Sequence, residues 1–207
     1  MADGVAALRD QVTALAVAKL TDLHRAFPGL VVPRTFAGHP VDDQSSAHLL
    51  KAMSLLVSIG VEEIDGFDLR RRAIEIADAT EPSITGFASF SFGESIVRLG
   101  GLDAVTDPER ALAAVRDPEL NRRLLEEDRP PPPNFNLVAA RCLFEEHALT
   151  GREPTLLDTF VDRSAGLLHQ RDTGWIDDMP DPLVHFDMYT PDVYLFAAPL
   201  RDRFGPR

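Results

Sequence analysis

Between Asp172 and Leu200 the chain gathers its one Trp, Trp175, both of its Tyr, Tyr189 and Tyr194, and the carboxylates Asp172, Asp177, Asp178, Asp181, Asp187 and Asp192. No Lys or Arg falls between Arg171 and Arg201, and His185 is the only imidazole in the stretch. Flat aromatic faces pack on pyranose rings, and carboxylates bind hydroxyls or transfer protons, so these residue types together read as a sugar site. The expected roles are Asp187 as general acid/base with His185 or Asp178 as its partner, Trp175 and Tyr189 holding the ring, and Asp177 binding hydroxyls. Gly174, Pro180, Pro182 and Pro191 make the segment loop-rich, and loops are where sites are carried. The competing reading is a solvated acidic loop whose aromatic residues pin it to a core.

Narrower patterns are weaker. Asp177-Asp178-Met179-Pro180-Asp181 spells DDxxD, whose magnesium-diphosphate chemistry needs carboxylates projecting from one helical face, and Pro180 breaks that geometry. His185-Phe186-Asp187 offers a His/Asp pair but not three metal ligands at helix spacing. No metal and no cofactor is expected. Asn134 and Asn136 follow Pro130 to Pro133 and open a helix, one as a cap and the other free to reach a ligand. His39 with Asp42 and Asp43 reads as the polar start of a helix. His24, His48, His147 and His169 fall in expected helices. Cys142 lies on an apolar face beside Leu143 with no activating base, which makes it an inert core thiol.

The C-terminal third resembles a known family. Asn134-Phe135-Asn136, then Gly174-Trp175-Ile176-Asp177-Asp178, then Phe186-Asp187-Met188-Tyr189 are similar to the pattern Asn-Asn-Trp, Gly-Trp-Tyr-x-Asp-Gly, Phe-Asp-Tyr-Tyr-Asn of the DUF2264 family, helical toroids related to the six-hairpin glycosidases. The resemblance implies an (α/α)6-type fold and action on carbohydrates, uronic-acid glycosides foremost. Asp178 stands where the family has Gly, Met188 where it has an aromatic residue, and Phe135 where it has Trp. A ring of about twelve helices of ~12 residues with loops of ~5 would use nearly the whole chain. The expectation is therefore a partial toroid completed by another chain, or a compact helical bundle.

Composition bounds the alternatives. At 207 residues the chain is long enough to bury a core, and 21 Lys plus Arg against 33 Asp plus Glu give a net charge of -12, which repels the phosphate backbone of nucleic acid unless the charge is strongly segregated. The single Cys rules out an internal disulfide and fits a reducing compartment. Charges at Asp3, Arg9, Asp10 and Lys19 interrupt the first twenty residues, so they read as neither a signal peptide nor a membrane span, and the expected location is cytoplasmic.

The elements that must position these residues read as helices throughout. Val5, Leu8, Val12, Leu15, Val17, Leu20 and Leu23 form a helical stripe ending before Pro28-Gly29, and Leu49, Leu50, Met53, Leu56 and Val57 form a second that Gly60 closes. A third helix is expected from Asp65 to Ala79; Phe87, Ser89, Phe90, Ser91 and Phe92 within 81–101 suit either a short strand or a packed small-residue helix, and the helix is favoured. Asp107-Pro108 and Asp117-Pro118 each place a cap before Pro at the first helical position. Asn136–Leu149 and Pro154–His169 are expected as an antiparallel pair. The expected fold is one all-α domain over 1–207, a partial (α/α) toroid or bundle of helical hairpins with a connector at 130–133. It is expected to self-associate, or to meet a separately encoded chain, through Tyr194, Leu195, Phe196 and Leu200. The expected function is that of an enzyme or enzyme subunit acting on a glycan or glycosylated small molecule. The alternatives are a noncatalytic helical subunit completing a partner's pocket, and a cyclase that protonates an apolar substrate through Asp.

Overall fold

The computed structural model describes residues 2–30, 35–36, 39–40, 43–82, 84–126, 134–167, 169–170, 176–177 and 195–204, and these form an all-α protein. The helices are α1 (Ala2–Ala26), α2 (Asp43–Ser58), α3 (Leu69–Ala79), α4 (Phe87–Leu99), α5 (Pro108–Val115), α6 (Pro118–Glu126), α7 (Asn134–Thr150), α8 (Leu157–Leu167) and the short α9 (Arg201–Phe204). Two-residue antiparallel ladders join them: β1 (Thr35–Phe36) with β2 (His39–Pro40), β3 (Glu63–Ile64) with β4 (Phe67–Asp68), and β5 (His169–Gln170) with β6 (Ile176–Asp177). No helix among the described residues is long and apolar enough to cross a membrane.

The predicted third helix starts four residues late. Asp65 and Gly66 both hold positive φ, 48° and 75°, the conformation a tight hairpin turn demands, so the chain reverses through β3 and β4 before turning helical. Asp68 then caps α3, its carboxylate accepting from Arg71 N at 2.8 Å. A short Asx-Gly turn outcompetes helix continuation because Gly66 takes the left-handed region without steric cost. His169 likewise lies in β5 rather than in a helix. The two Asp-Pro caps form as expected. Asp107 accepts from Arg110 N at 3.0 Å, and Asp117 accepts from Leu120 N at 2.9 Å. Asp117 also accepts from Gly86 N at 2.6 Å and so ties the start of α6 to the turn that opens α4.

Helix α4 lies between two apolar clusters. Phe92 and Ile96 join Leu50, Met53, Leu69, Ala73, Val115 and the C-terminal half of α1, whereas Phe90 joins Leu120, Leu137, Val138, Phe160 and Leu200. A helix buried on so many sides must be narrow, and Ala88, Ser89, Ser91, Gly93 and Ser95 make it so. Its serines spend their hydroxyls on nearby carbonyls, Ser95 Oγ donating to Ser91 O at 2.6 Å and Ser89 Oγ to Ile84 O at 3.0 Å, which removes the cost of burying them. Gly93 is the closest point of approach. A Cβ there would stand 2.8 Å from Glu145 Cβ and 3.0 Å from Val115 Cγ1. Gly93→Ala should therefore destabilise the protein by about 1–3 kcal/mol despite the better helix propensity of Ala, and an unchanged urea midpoint would show that α4 and α7 can part freely.

Candidate functional site

Of the site residues expected from sequence, Trp175, Asp178, His185, Asp187 and Tyr189 lie outside the described residues, as do Tyr194 and the connector at 130–133. Asp177 is described through its backbone, extended in β6 opposite His169. Asn134 and Asn136 both fall within the first turn of α7 rather than ahead of it. Asn136 is buried, and the side-chain oxygen of Asn134 is buried without a hydrogen-bond partner.

An aromatic junction joins the opening of α7 to Phe196. Phe135, between the two Asn, meets Phe87 with ring centroids 5.7 Å apart. Phe87 meets Phe196 at 5.6 Å, and Phe196 meets Phe90 edge-on at 5.0 Å. Phe196 closes the aspartate-rich stretch in sequence, and its ring lies against Phe87 and Phe90 beside the opening of α7. Leu200, expected at an oligomer contact, is instead fully buried in the second apolar cluster, while Leu195 is exposed. Once the chain folds back onto α7 and α8, Leu200 fills its own core and is lost to any partner.

Phe90 also forms the floor of a charged cluster contributed by three helices. Lys51 Nζ of α2 and the Arg141 guanidinium of α7 each stand 5.2 Å from its ring centroid, within cation–π range. Lys51 Nζ pairs with Glu94 Oε2 at 2.8 Å, and Arg98 one turn along α4 hydrogen-bonds Glu94 Oε1. Arg141 Nη2 donates to Glu145 Oε1 at 2.6 Å and lies 3.7 Å from Glu94 Oε1, so the two carboxylates share one nitrogen. Arg141 is only 2% exposed. Its Nε and the Nη1 of Arg98 are buried donors without a hydrogen-bond partner.

The two glutamates are driven in opposite directions. Burial pushes Glu94 upward, but the hydrogen bond and charge of Lys51 with the charges of Arg141 and Arg98 outweigh it, and the carboxyl is held below its ordinary range. Burial pushes Glu145 up, and there it wins: Arg141 opposes it but is shared with Glu94, whose own charge raises Glu145 further. Glu94 thus favours its ionised form, and Glu145 its proton, more than a free carboxyl does.

Sequence reading passed over Glu94, Arg141 and Glu145 because each falls in a helical stretch that explains it blandly. A signal was present nonetheless. Arg141 and Glu145, one turn apart, interrupt a helix otherwise buried from Leu137 to Leu143, and a helix buried all round does not carry charges without partners. Lys51, one of two Lys in the chain, sits equally oddly beside Leu50 and Met53.

Cys142 is the core thiol expected: burial pushes its pKa far up, and it packs in the second apolar cluster with its Sγ 3.8 Å from Gly86 O. Among the described residues no three His, Cys, Asp or Glu side chains come together to hold a metal ion. Comparison with known proteins finds no family model, curated protein or solved structure that matches the chain, so function rests on this geometry and on the sequence.

Proposed function

We propose that the chain is an enzyme, or a subunit of one, that acts on a glycan or glycosylated small molecule by carboxylate acid/base chemistry, within an incomplete helical toroid. The observation that carries this reading is the pair Glu94 and Glu145. They are pushed apart in proton affinity, share Arg141, and stand beside a Phe90 ring that also receives Phe196 from the aspartate-rich segment. Titratable groups so separated cluster at sites of proton transfer. In this reading Asp187, with His185 or Asp178, supplies a further acid or base, Trp175 and Tyr189 hold the ring, and Asn134, Asn136 and Asp177 bind hydroxyls.

The test is turnover of a panel of nitrophenyl glycosides and uronic-acid oligosaccharides by the purified chain. Turnover of one class is expected, and Trp175→Ala should raise KM with little change in kcat, because stacking acts on ground and transition states alike. No turnover on any member, with full retention of fold, would favour the noncatalytic-subunit reading. Release of a cyclised hydrocarbon instead of a sugar would favour the cyclase.

A further inference from the structure

The N-terminal half of α1 stands off the body. Ala16, Val17, Leu20 and Leu23 pack on the first apolar cluster, but every side chain from Gly4 to Val12 is exposed. Four large apolar side chains of this half lie open: Val5 is 70% exposed, Leu8 60%, Val12 56% and, just beyond, Leu15 59%. Their spacing of three, four and three residues is that of two heptads, with Val at both a positions and Leu at both d positions. β-branched residues at a with Leu at d select parallel two-stranded coiled coils. A short helix alone in water is marginal, so this arm needs a partner surface to hold it.

We infer that this stripe is a parallel dimer seam that pairs with the same stripe of a second copy of the chain. Charge argues for a copy. The chain carries -12, yet between Gly4 and Ala18 the only charged side chains are Arg9 and Asp10, which offset each other in an exposed pair at 3.4 Å. The arm is therefore a neutral surface on which two acidic bodies can meet without repulsion. Lys19 takes the next a position and ends the seam. The stripe lies roughly a quarter turn round the helix from the residues that face the body, so a two-fold pairing leaves the bodies on opposite flanks. Four side chains per copy bury several hundred Å², short of the roughly 1,200 Å² of a stable interface, and the dimer should dissociate at about 10–100 µM.

Sedimentation velocity of the full chain from 5 to 500 µM, values chosen to bracket that range of about 10–100 µM, should show a monomer giving way to a dimer. Leu8→Glu should stay monomeric throughout, with the same thermal midpoint as the native chain at the lowest concentration, where both are monomers, because the residue touches no core. Leu8→Cys, oxidised, should yield a covalent dimer, since only a parallel seam sets Leu8 against Leu8, and Cys142 is buried and offers no competing link. A native chain that is monomeric at every concentration, self-association undiminished in Leu8→Glu, or dimer without the cross-link would each overturn the inference.

Discussion

Arg141→Ala should lower the unfolding free energy by about 3–5 kcal/mol, a large share of the ~5–15 kcal/mol that holds a domain of this size together. The guanidinium is 2% exposed, donates to Glu145 at 2.6 Å, lies 3.7 Å from Glu94 and covers the Phe90 ring. Its removal strips Glu145 of its one cation hydrogen bond, leaves a void in α7, and forfeits the cation–π contact. Glu145 can relieve part of the loss by holding its proton. Glu94 keeps Lys51 and Arg98. Arg141→Met, which fills the volume without the charge, should recover part of the stability but not all, because the Glu145 carboxyl still loses its partner. Urea unfolding at neutral pH checks both, and a loss under 1 kcal/mol in Arg141→Ala would mean that the cluster is solvated rather than buried.

What the sequence made legible follows from range. The stripes of α1 and α2 and the Asp-Pro starts of α5 and α6 are written within a turn or two of chain, where a cap or a 3.6-residue period acts directly. The hairpin at Asp65-Gly66 was missed because the apolar alternation around it suits a helix start equally well, and the choice was made by backbone freedom at Gly66. The candidate site was less legible. Lys51, Glu94 and Arg141 are separated by more than forty residues each and become neighbours only when α2, α4 and α7 pack. No local period reports that meeting. The narrowness of α4 at Gly93 allows α7 close enough for Arg141 to reach Glu94, and a single Gly in a helix reads as a flaw until its neighbour is known.

Glu145→Gln should lower kcat on the substrate class identified by about 10²- to 10⁴-fold, the effect of a lost general acid or base, while leaving the shape of the site intact. The pH profile assigns the role. In the proposed reading Glu145, raised by burial, is the donor, so activity should fall as pH rises through its folded pKa. Glu94, held down by Lys51, Arg141 and Arg98 against burial, serves as the acceptor, so activity should fall as pH drops through its lowered value. Glu145→Gln removes the alkaline limb and Glu94→Gln the acid limb. Stability supplies an independent readout. A carboxyl whose folded pKa is raised stabilises fully below its unfolded value, about 4.3, and that contribution is lost as pH rises through the folded pKa. The other carboxyls contribute alike to both proteins, so Glu145→Gln should gain stability on the native protein from acid to neutral pH. Asp187→Asn completes the assignment, since Asn is nearly isosteric and caps a helix as well as Asp does. Should Asp187→Asn abolish turnover while Glu145→Gln keeps both full kcat and the alkaline limb, the proton passes through the aspartate-rich segment. The buried pair would then act only as the tie between α4 and α7, and the stability difference between Glu145→Gln and the native chain would still rise with pH.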